Sequence, residues 1–296
     1  MGRNYMATQK ITPHLWFDTQ ALEAATFYQS AFPDSRVTFT TEIGDTPSGD
    51  AQIVGFQVMG YEFMAISAGP MFRINPAISF HAKCRTPAEV DALWAQLAPE
   101  GTVMMPLGEY PFSPRYGWVA DKFGVSWQVI YREEDVDGRI TPALMFTNEV
   151  CGRAEEAVEF YASVFPNATS EIVERYNAGE GPDQEGTVKY ARFMVDGQEF
   201  VAMDSAWPHE FNFNEAVSLI VNCRDQDEVD YFWERLSAVP EAEQCGWVKD
   251  QFGVSWQIVP ENLEEIMAVN PAKTTPALLA MKKIVIADLI AAGAAD

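Results

Sequence analysis

The chain has 296 residues, 48% of them apolar and 12% aromatic, with a formal net charge of −23. That length accommodates two domains of roughly 130–150 residues each, and the apolar content predicts packed cores rather than disorder. The acidic balance, with no basic stripe, argues against nucleic-acid and anionic-membrane partners, and no apolar run reaches the length of about 18 residues that spans a bilayer.

The N-terminal ten residues lack the apolar centre of a signal peptide. Four cysteines without paired short spacing suit reduced thiols, so a cytoplasmic location is expected. Cys84 and Cys223 occupy matching places in an internal repeat and read as small buried hydrophobes.

The first predicted strand is Ile11-Thr12-Pro13-His14-Leu15-Trp16-Phe17. Ile11, Pro13, Leu15 and Phe17 share one face; Thr12, His14 and Trp16 share the other. A helix is predicted over 21–31 and ends at Phe32-Pro33. Three short strands follow near 35–43, 51–59 and 62–67. A second unit begins at Asn75-Pro76-Ala77-Ile78-Ser79, continues through a strand bearing His81, and enters a helix near 87–97 with Leu93, Trp94 and Leu97 at helical spacing. Residues 98–116 then form a Met- and aromatic-rich flap.

The next stretch, Gly117-Trp118-Val119-Ala120-Asp121-Lys122-Phe123-Gly124-Val125-Ser126-Trp127-Gln128, is the strongest feature of the chain. It returns as Gly246-Trp247-Val248-Lys249-Asp250-Gln251-Phe252-Gly253-Val254-Ser255-Trp256-Gln257, 129 residues later. Each copy reads as strand, Asp/Gly turn and strand. Val125, Trp127 and Val129 take the core face, and Ser126, Gln128 and Ile130 the other.

The repeat extends well beyond this motif. Ile140-Thr141-Pro142 matches Ile11-Thr12-Pro13, a helix over 154–164 matches the first, and strands near 169–176, 187–195 and 198–204 match the three that follow it. Asn214-Glu215-Ala216-Val217-Ser218 matches the segment from Asn75, with a helix near 226–237. The second half carries four extra residues around 149–153, but its counterpart of the flap is ten residues shorter. The boundaries are a first domain over 10–133, a second over 139–260 and a helical tail over 261–296, expected to dock on its own domain or on a neighbouring subunit.

These motifs resemble the vicinal-oxygen-chelate superfamily of glyoxalases, fosfomycin-resistance proteins and dioxygenases. Within it they resemble the PhnB-like branch, often labelled 3-demethylubiquinone-9 3-methyltransferase. The resemblance implies an α+β chain of two tandem glyoxalase-like domains, each of two βαβββ modules forming an open cup. The methyltransferase label finds no support in the residues, since no strand leads into a Gly-rich turn suited to S-adenosylmethionine.

The superfamily's metal-ligand positions correspond to Thr12, Ser79 and Gln128 in the first half, and to Thr141, Ser218 and Gln257 in the second. Two hydroxyls and an amide are poor ligands for a divalent transition metal, so no metal and no other cofactor is expected. By strand periodicity His14 and His81 lie beside two of these positions and are expected to face one first cup together.

A small-molecule ligand, partly aromatic or anionic, is therefore expected against Thr12, His14, Trp16, Ser79, His81, Arg115, Tyr116 and Gln128, with Arg115 available to pair an anion. The second domain would serve mainly as an intrachain pseudo-dimeric partner, and a homodimer of the chain is left open. His209 reads as a loop residue, and Asp204 and Asn222 as polar positions of the second half. The alternative is an enzyme, either a metal-dependent lyase, transferase or isomerase, or one using His14 or His81 in acid–base chemistry. A third alternative is a purely structural or interaction module.

Overall fold

The computed structural model describes residues 9–46, 49–133 and 139–295. Four similar units succeed one another. The first is β1 (Ile11–Phe17), α1 (Ala21–Ala31), β2 (Arg36–Thr46), β3 (Gly49–Val58) and β4 (Tyr61–Ser67). The second is β5 (Ile78–Cys84), α2 (Pro87–Leu97), β6 (Thr102–Tyr110), β7 (Ser113–Ala120) and β8 (Ser126–Tyr131). The third is β9 (Ile140–Thr147), α3 (Ala154–Val164), β10 (Thr169–Arg175), β11 (Val188–Val195) and β12 (Gln198–Ser205). The fourth is β13 (Val217–Cys223), α4 (Gln226–Leu236), β14 (Trp247–Lys249) and β15 (Ser255–Pro260), followed by α5 (Leu263–Val269), α6 (Pro271–Leu279) and α7 (Ile286–Ala294). None of the described helices is long and apolar enough to cross a membrane.

The units combine across the halves. One sheet runs β14-β15-β13-β1-β4-β3-β2 and the other β10-β11-β12-β9-β5-β8-β7-β6. β1 pairs antiparallel with β13, while β5 pairs antiparallel with β9. Each sheet thus takes one unit from each half of the chain, as two subunits of a dimer would exchange units. Neighbouring cups are therefore built from units one and four, and from units two and three. This corrects the expectation that Thr12 and His14 would share a cup with Ser79, His81 and Gln128.

The repeated motif earns its residues in the core. Asp121 is buried, and its Oδ1 accepts from the backbone N–H groups of Phe123 and Val125 at 2.8 and 3.1 Å. Its Oδ2 accepts from Tyr28 OH at 2.7 Å and Trp127 Nε1 at 2.9 Å. Asp250 repeats this with Phe252, Val254, Tyr161 and Trp256 at 2.8–3.0 Å. One carboxylate therefore shapes the turn and ties the helix tyrosine to the strand tryptophan. A buried carboxylate persists when all its acceptor sites are used in this way.

Gly124 and Gly253 close these turns at φ 86° and 90°, where a β-carbon is disfavoured. Around Trp127 and Trp256 the aromatic rings Tyr28, Phe32, Phe63 and Phe80, and in the copy Tyr161 and Phe165, pack at centroid distances of 4.7–6.2 Å. Such contacts add to the burial of the rings themselves.

The Asn-x-Ala motifs join the two halves. Asn75 Nδ2 donates to Asn212 O at 3.0 Å, and Asn214 Nδ2 donates to Arg73 O at 2.9 Å. Each Asn Oδ1 accepts from its own Ala N–H, Ala77 or Ala216, at 2.9 Å. The tail docks on its own chain. Cys245 N and Gly246 N donate to Met281 O and Lys282 O, and Ile266, Ile284 and Leu289 form a small cluster that includes Val259 at its margin. The tail thereby lies beside β14, where β6 lies beside β7 in the other sheet.

Candidate functional site

Each sheet buries one face under helices and turns the other into a cup. In the β1–β13 cup, Thr12, His14 and Trp16 stand on β1, with Ser218 and Asn222 on β13, Gln257 on β15 and Trp247 on β14. His14 is opposite Ser218 across the ladder, and Trp247 is opposite Gln257. Gln257 Nε2 donates to Ser218 Oγ at 2.9 Å, and Asn222 Nδ2 donates to Thr12 Oγ1 at 3.1 Å.

Three aromatic rings wall this cup. Trp247 meets His14 edge-on at 5.6 Å and Trp16 at 6.4 Å, and Phe72 meets Trp16 at 5.1 Å. Trp16 Nε1 is held by Gly69 O at 2.8 Å. His14 is 3% exposed, and its Nδ1 is buried with no hydrogen-bond partner. Burial pushes its imidazole down to about 3 from the ordinary 6.5, so the ring is neutral at pH 7.

The β5–β9 cup holds Ser79, His81 and Lys83 on β5, Gln128 on β8, Thr141 on β9, Tyr116 on β7 and Glu199 on β12. Gln128 Nε2 donates to Ser79 Oγ at 2.9 Å, as its copy does to Ser218. Here the amide oxygen is also used: Tyr116 OH donates to Gln128 Oε1 at 2.7 Å. Tyr110 and Phe112 pack on Tyr116 at 5.3 and 4.9 Å, so the flap folds its own aromatic rings over this cup.

Lys83 pairs with Glu199, whose Oε2 also accepts from Thr141 Oγ1 at 3.2 Å. Burial raises the Glu199 carboxyl, but the Lys83 ammonium and further partners outweigh it and leave the group below its ordinary value. His81 lies opposite Thr141 and beside Gln128, with Nε2 buried and unpartnered. Its imidazole is pushed down to about 3, first by burial and then by the charges of Lys83 and Arg132, with Glu199 and Gln128 opposing.

The expected ligand set therefore divides. Thr12, His14 and Trp16 belong to one cup; Ser79, His81, Tyr116 and Gln128 belong to the other. The two histidines sit one per cup, on strands that the repeat does not relate. Arg115 belongs to neither cup. Its neighbour Gly117 lies against Trp94 of α2, and the same strand face carries Arg115 to Asp91 at 2.6 Å. Sequence reasoning missed Phe72, Lys83, Glu199 and Trp247; the repeat, which matches Trp247 to Trp118, was the signal available for the last.

The metal-ligand positions implied by the resemblance do not fit a divalent metal. Thr12, Ser218 and Gln257 form one set and Thr141, Ser79 and Gln128 the other; all are neutral, and each makes a hydrogen bond to another side chain. Glu199, a carboxylate close to the second set, is engaged by Lys83 and Thr141. Among the described residues no group of three or more His, Cys, Asp and Glu side chains is arranged to hold a metal ion. A cleft of about 510 Å³ opens along the seam of residues 73–76 and 210–214, but the Asn75 and Asn214 amides there are already used in joining the halves.

The family described as 3-demethylubiquinone-9 3-methyltransferase matches residues 9–130 and again 138–259. The chain belongs to this PhnB-like family. A Bacillus cereus PhnB protein of known structure is 37% identical over 42% of this chain and all of its own, with a TM-score of 0.39. A Staphylococcus aureus protein is 33% identical over 43% of this chain and 98% of its own, at a TM-score of 0.18. Glyoxalase I from Zea mays aligns over 87% of this chain and 96% of its own at 11% identity and a TM-score of 0.53, which shows a shared fold. A comparison with curated proteins finds no match. As a PhnB-like chain carrying the family domain twice, the protein holds in one polypeptide both halves of the exchanged arrangement.

Proposed function

We propose that this PhnB-like protein binds a small molecule in the β1–β13 cup, without a metal. The observation that carries the reading is His14 Nδ1, a buried polar atom left without a partner beside the Ser218–Gln257 pair. A buried donor or acceptor left unpaired costs about 1–3 kcal/mol, and a bound molecule offering the complementary group recovers it. The walls supplied by Trp16, Phe72 and Trp247 suit an apolar body with few polar groups, the usual character of small-molecule sites. In the β5–β9 cup the corresponding amide is already taken by Tyr116, which favours the β1–β13 cup as the binding site.

An acid–base enzyme using His14 or His81 has less support. A buried imidazole held down to about 3 is a weak base at pH 7, far from the matched value that proton transfer favours. Ligand-observed NMR with a mixed set of phenols, carboxylates and amines, in the presence of EDTA, tests the binding reading. Hits on the wild type that disappear in His14→Leu support it. Hits that need added Zn, Ni, Fe or Mn, or that all survive the substitution, overturn it.

A further inference from the structure

The two cups are copies, so the hydrogen bonds one has and the other lacks define what is missing. Gln128 and Gln257 each donate to a serine at 2.9 Å. The Gln128 oxygen then receives the Tyr116 phenol at 2.7 Å. In the repeat Tyr116 is matched by Cys245, and among the described residues nothing donates to Gln257 Oε1.

The tryptophans diverge in the same way. Trp118 Nε1 donates to Ser126 Oγ at 2.7 Å, whereas Trp247 turns edge-on to His14 and Trp16, and no described residue accepts its Nε1–H. Together with His14 Nδ1, the β1–β13 cup gathers three polar groups that no described residue pairs, within an aromatic wall; the His14 nitrogen is buried and the other two are open to the cup.

Resting on the binding reading above, we infer that the ligand of the β1–β13 cup is a neutral phenol, or a similar hydroxyl-bearing aromatic ring, that takes the role Tyr116 plays in the other cup. Its hydroxyl donates to Gln257 Oε1, and its oxygen accepts from Trp247 Nε1–H or from His14 in the Nδ1-protonated tautomer. A hydroxyl both donates and accepts, so one group serves an acceptor and a donor at once. The ring packs against Trp16, Trp247 and Phe72 with the geometry aromatic pairs prefer. The nearby cation Lys10 is already paired with Glu228 at 2.8 Å and lies over the Phe232 ring, so it is not free to pair an anion.

The test is calorimetric titration of the full chain with 4-ethylphenol, with its methyl ether 4-ethylanisole, and with 4-ethylbenzoate. The phenol is expected to bind at one site per chain, at least tenfold tighter than the ether or the carboxylate. Gln257→Leu should weaken it at least tenfold. Tyr116→Phe, in the other cup, should leave it unchanged.

Equal binding of phenol and ether overturns the inference, as does full binding in Gln257→Leu shown by circular dichroism to be folded. If Gln257→Leu does not fold, the ligand comparison on the wild type decides. If the phenol fails to bind while another fragment binds in a His14-dependent way, the ligand class is wrong and the binding reading stands. If no fragment depends on His14, both fall.

Discussion

His14 faces Ser218 across the β1–β13 ladder, and Ser218 Oγ accepts the Gln257 amide at 2.9 Å. The pair joins the first unit of the chain to the last. It sets a neutral imidazole beside the position where metal-dependent relatives are implied to carry a ligand, and it leaves that imidazole with an unpaired nitrogen.

The buried aspartates are structural. In Asp250→Asn the amide group would meet the Trp256 Nε1–H with another N–H, or else turn it toward the backbone donors of Phe252 and Val254. Either arrangement strands buried donors, so the variant should lose about 3 kcal/mol of stability. Tyr161→Phe removes one donor and should lose about 1 kcal/mol. Urea midpoints measure both, and equal losses would contradict the assigned geometry.

Stability should depend on pH through the histidines with a definite sign. Both are held down to about 3, so the folded chain refuses protons that the unfolded chain accepts near 6.5. Their contribution is complete above about pH 6.5 and falls as pH drops toward 3. Asp250 acts oppositely: burial raises its carboxyl to about 6, so the folded state takes up a proton first and gains stability as pH falls from 6 toward 3.8. The difference between wild type and His14→Leu isolates one imidazole. Between pH 7 and pH 5 the wild type should lose about 2 kcal/mol more than the variant. An equal change in stability between the two pH values for wild type and variant would contradict this.

The seam between the halves should be symmetric in energy. Asn75→Ala and Asn214→Ala each remove one bond to the opposite loop and one to their own strand start. Each should cost about 1–2 kcal/mol, and the two should agree closely in thermal unfolding. A large difference would mean that the two loops are not equivalent.

Much of this architecture was legible in the residues. The repeat at Gly117 and Gly246 is local, and alternation placed Thr12, His14 and Trp16 on one face and Trp127 in the core. The partner of β1 was not legible, because Ser79 and Ser218 belong to copies of the same strand and either could complete a cup beside Thr12. That choice rests on which loops reach across the seam, where Asn75 meets Asn212 and Asn214 meets Arg73. Arg115 departs from expectation for a different reason: the flap it belongs to ends in β7, where its face is fixed by Gly117 against Trp94. The turned ring of Trp247 leaves no mark in the sequence, since its copy Trp118 is the same residue with a different hydrogen bond.

The flap itself can be tested in the β5–β9 cup. Tyr116→Phe leaves the Gln128 oxygen without its phenol while keeping the ring that packs on Tyr110 and Phe112. Stability should fall by about 1–2 kcal/mol, measured by chemical denaturation. No loss would mean that Gln128 finds another donor.

The chain has three histidines, so the imidazole nitrogens can be followed individually by long-range 1H–15N NMR. On titration with 4-ethylphenol at pH 7 in EDTA, the His14 nitrogens should shift in a saturable way while those of His81 and His209 stay in place. Shifts at His81 with His14 silent, or a His14 response that needs added metal, would contradict a metal-free site in the β1–β13 cup.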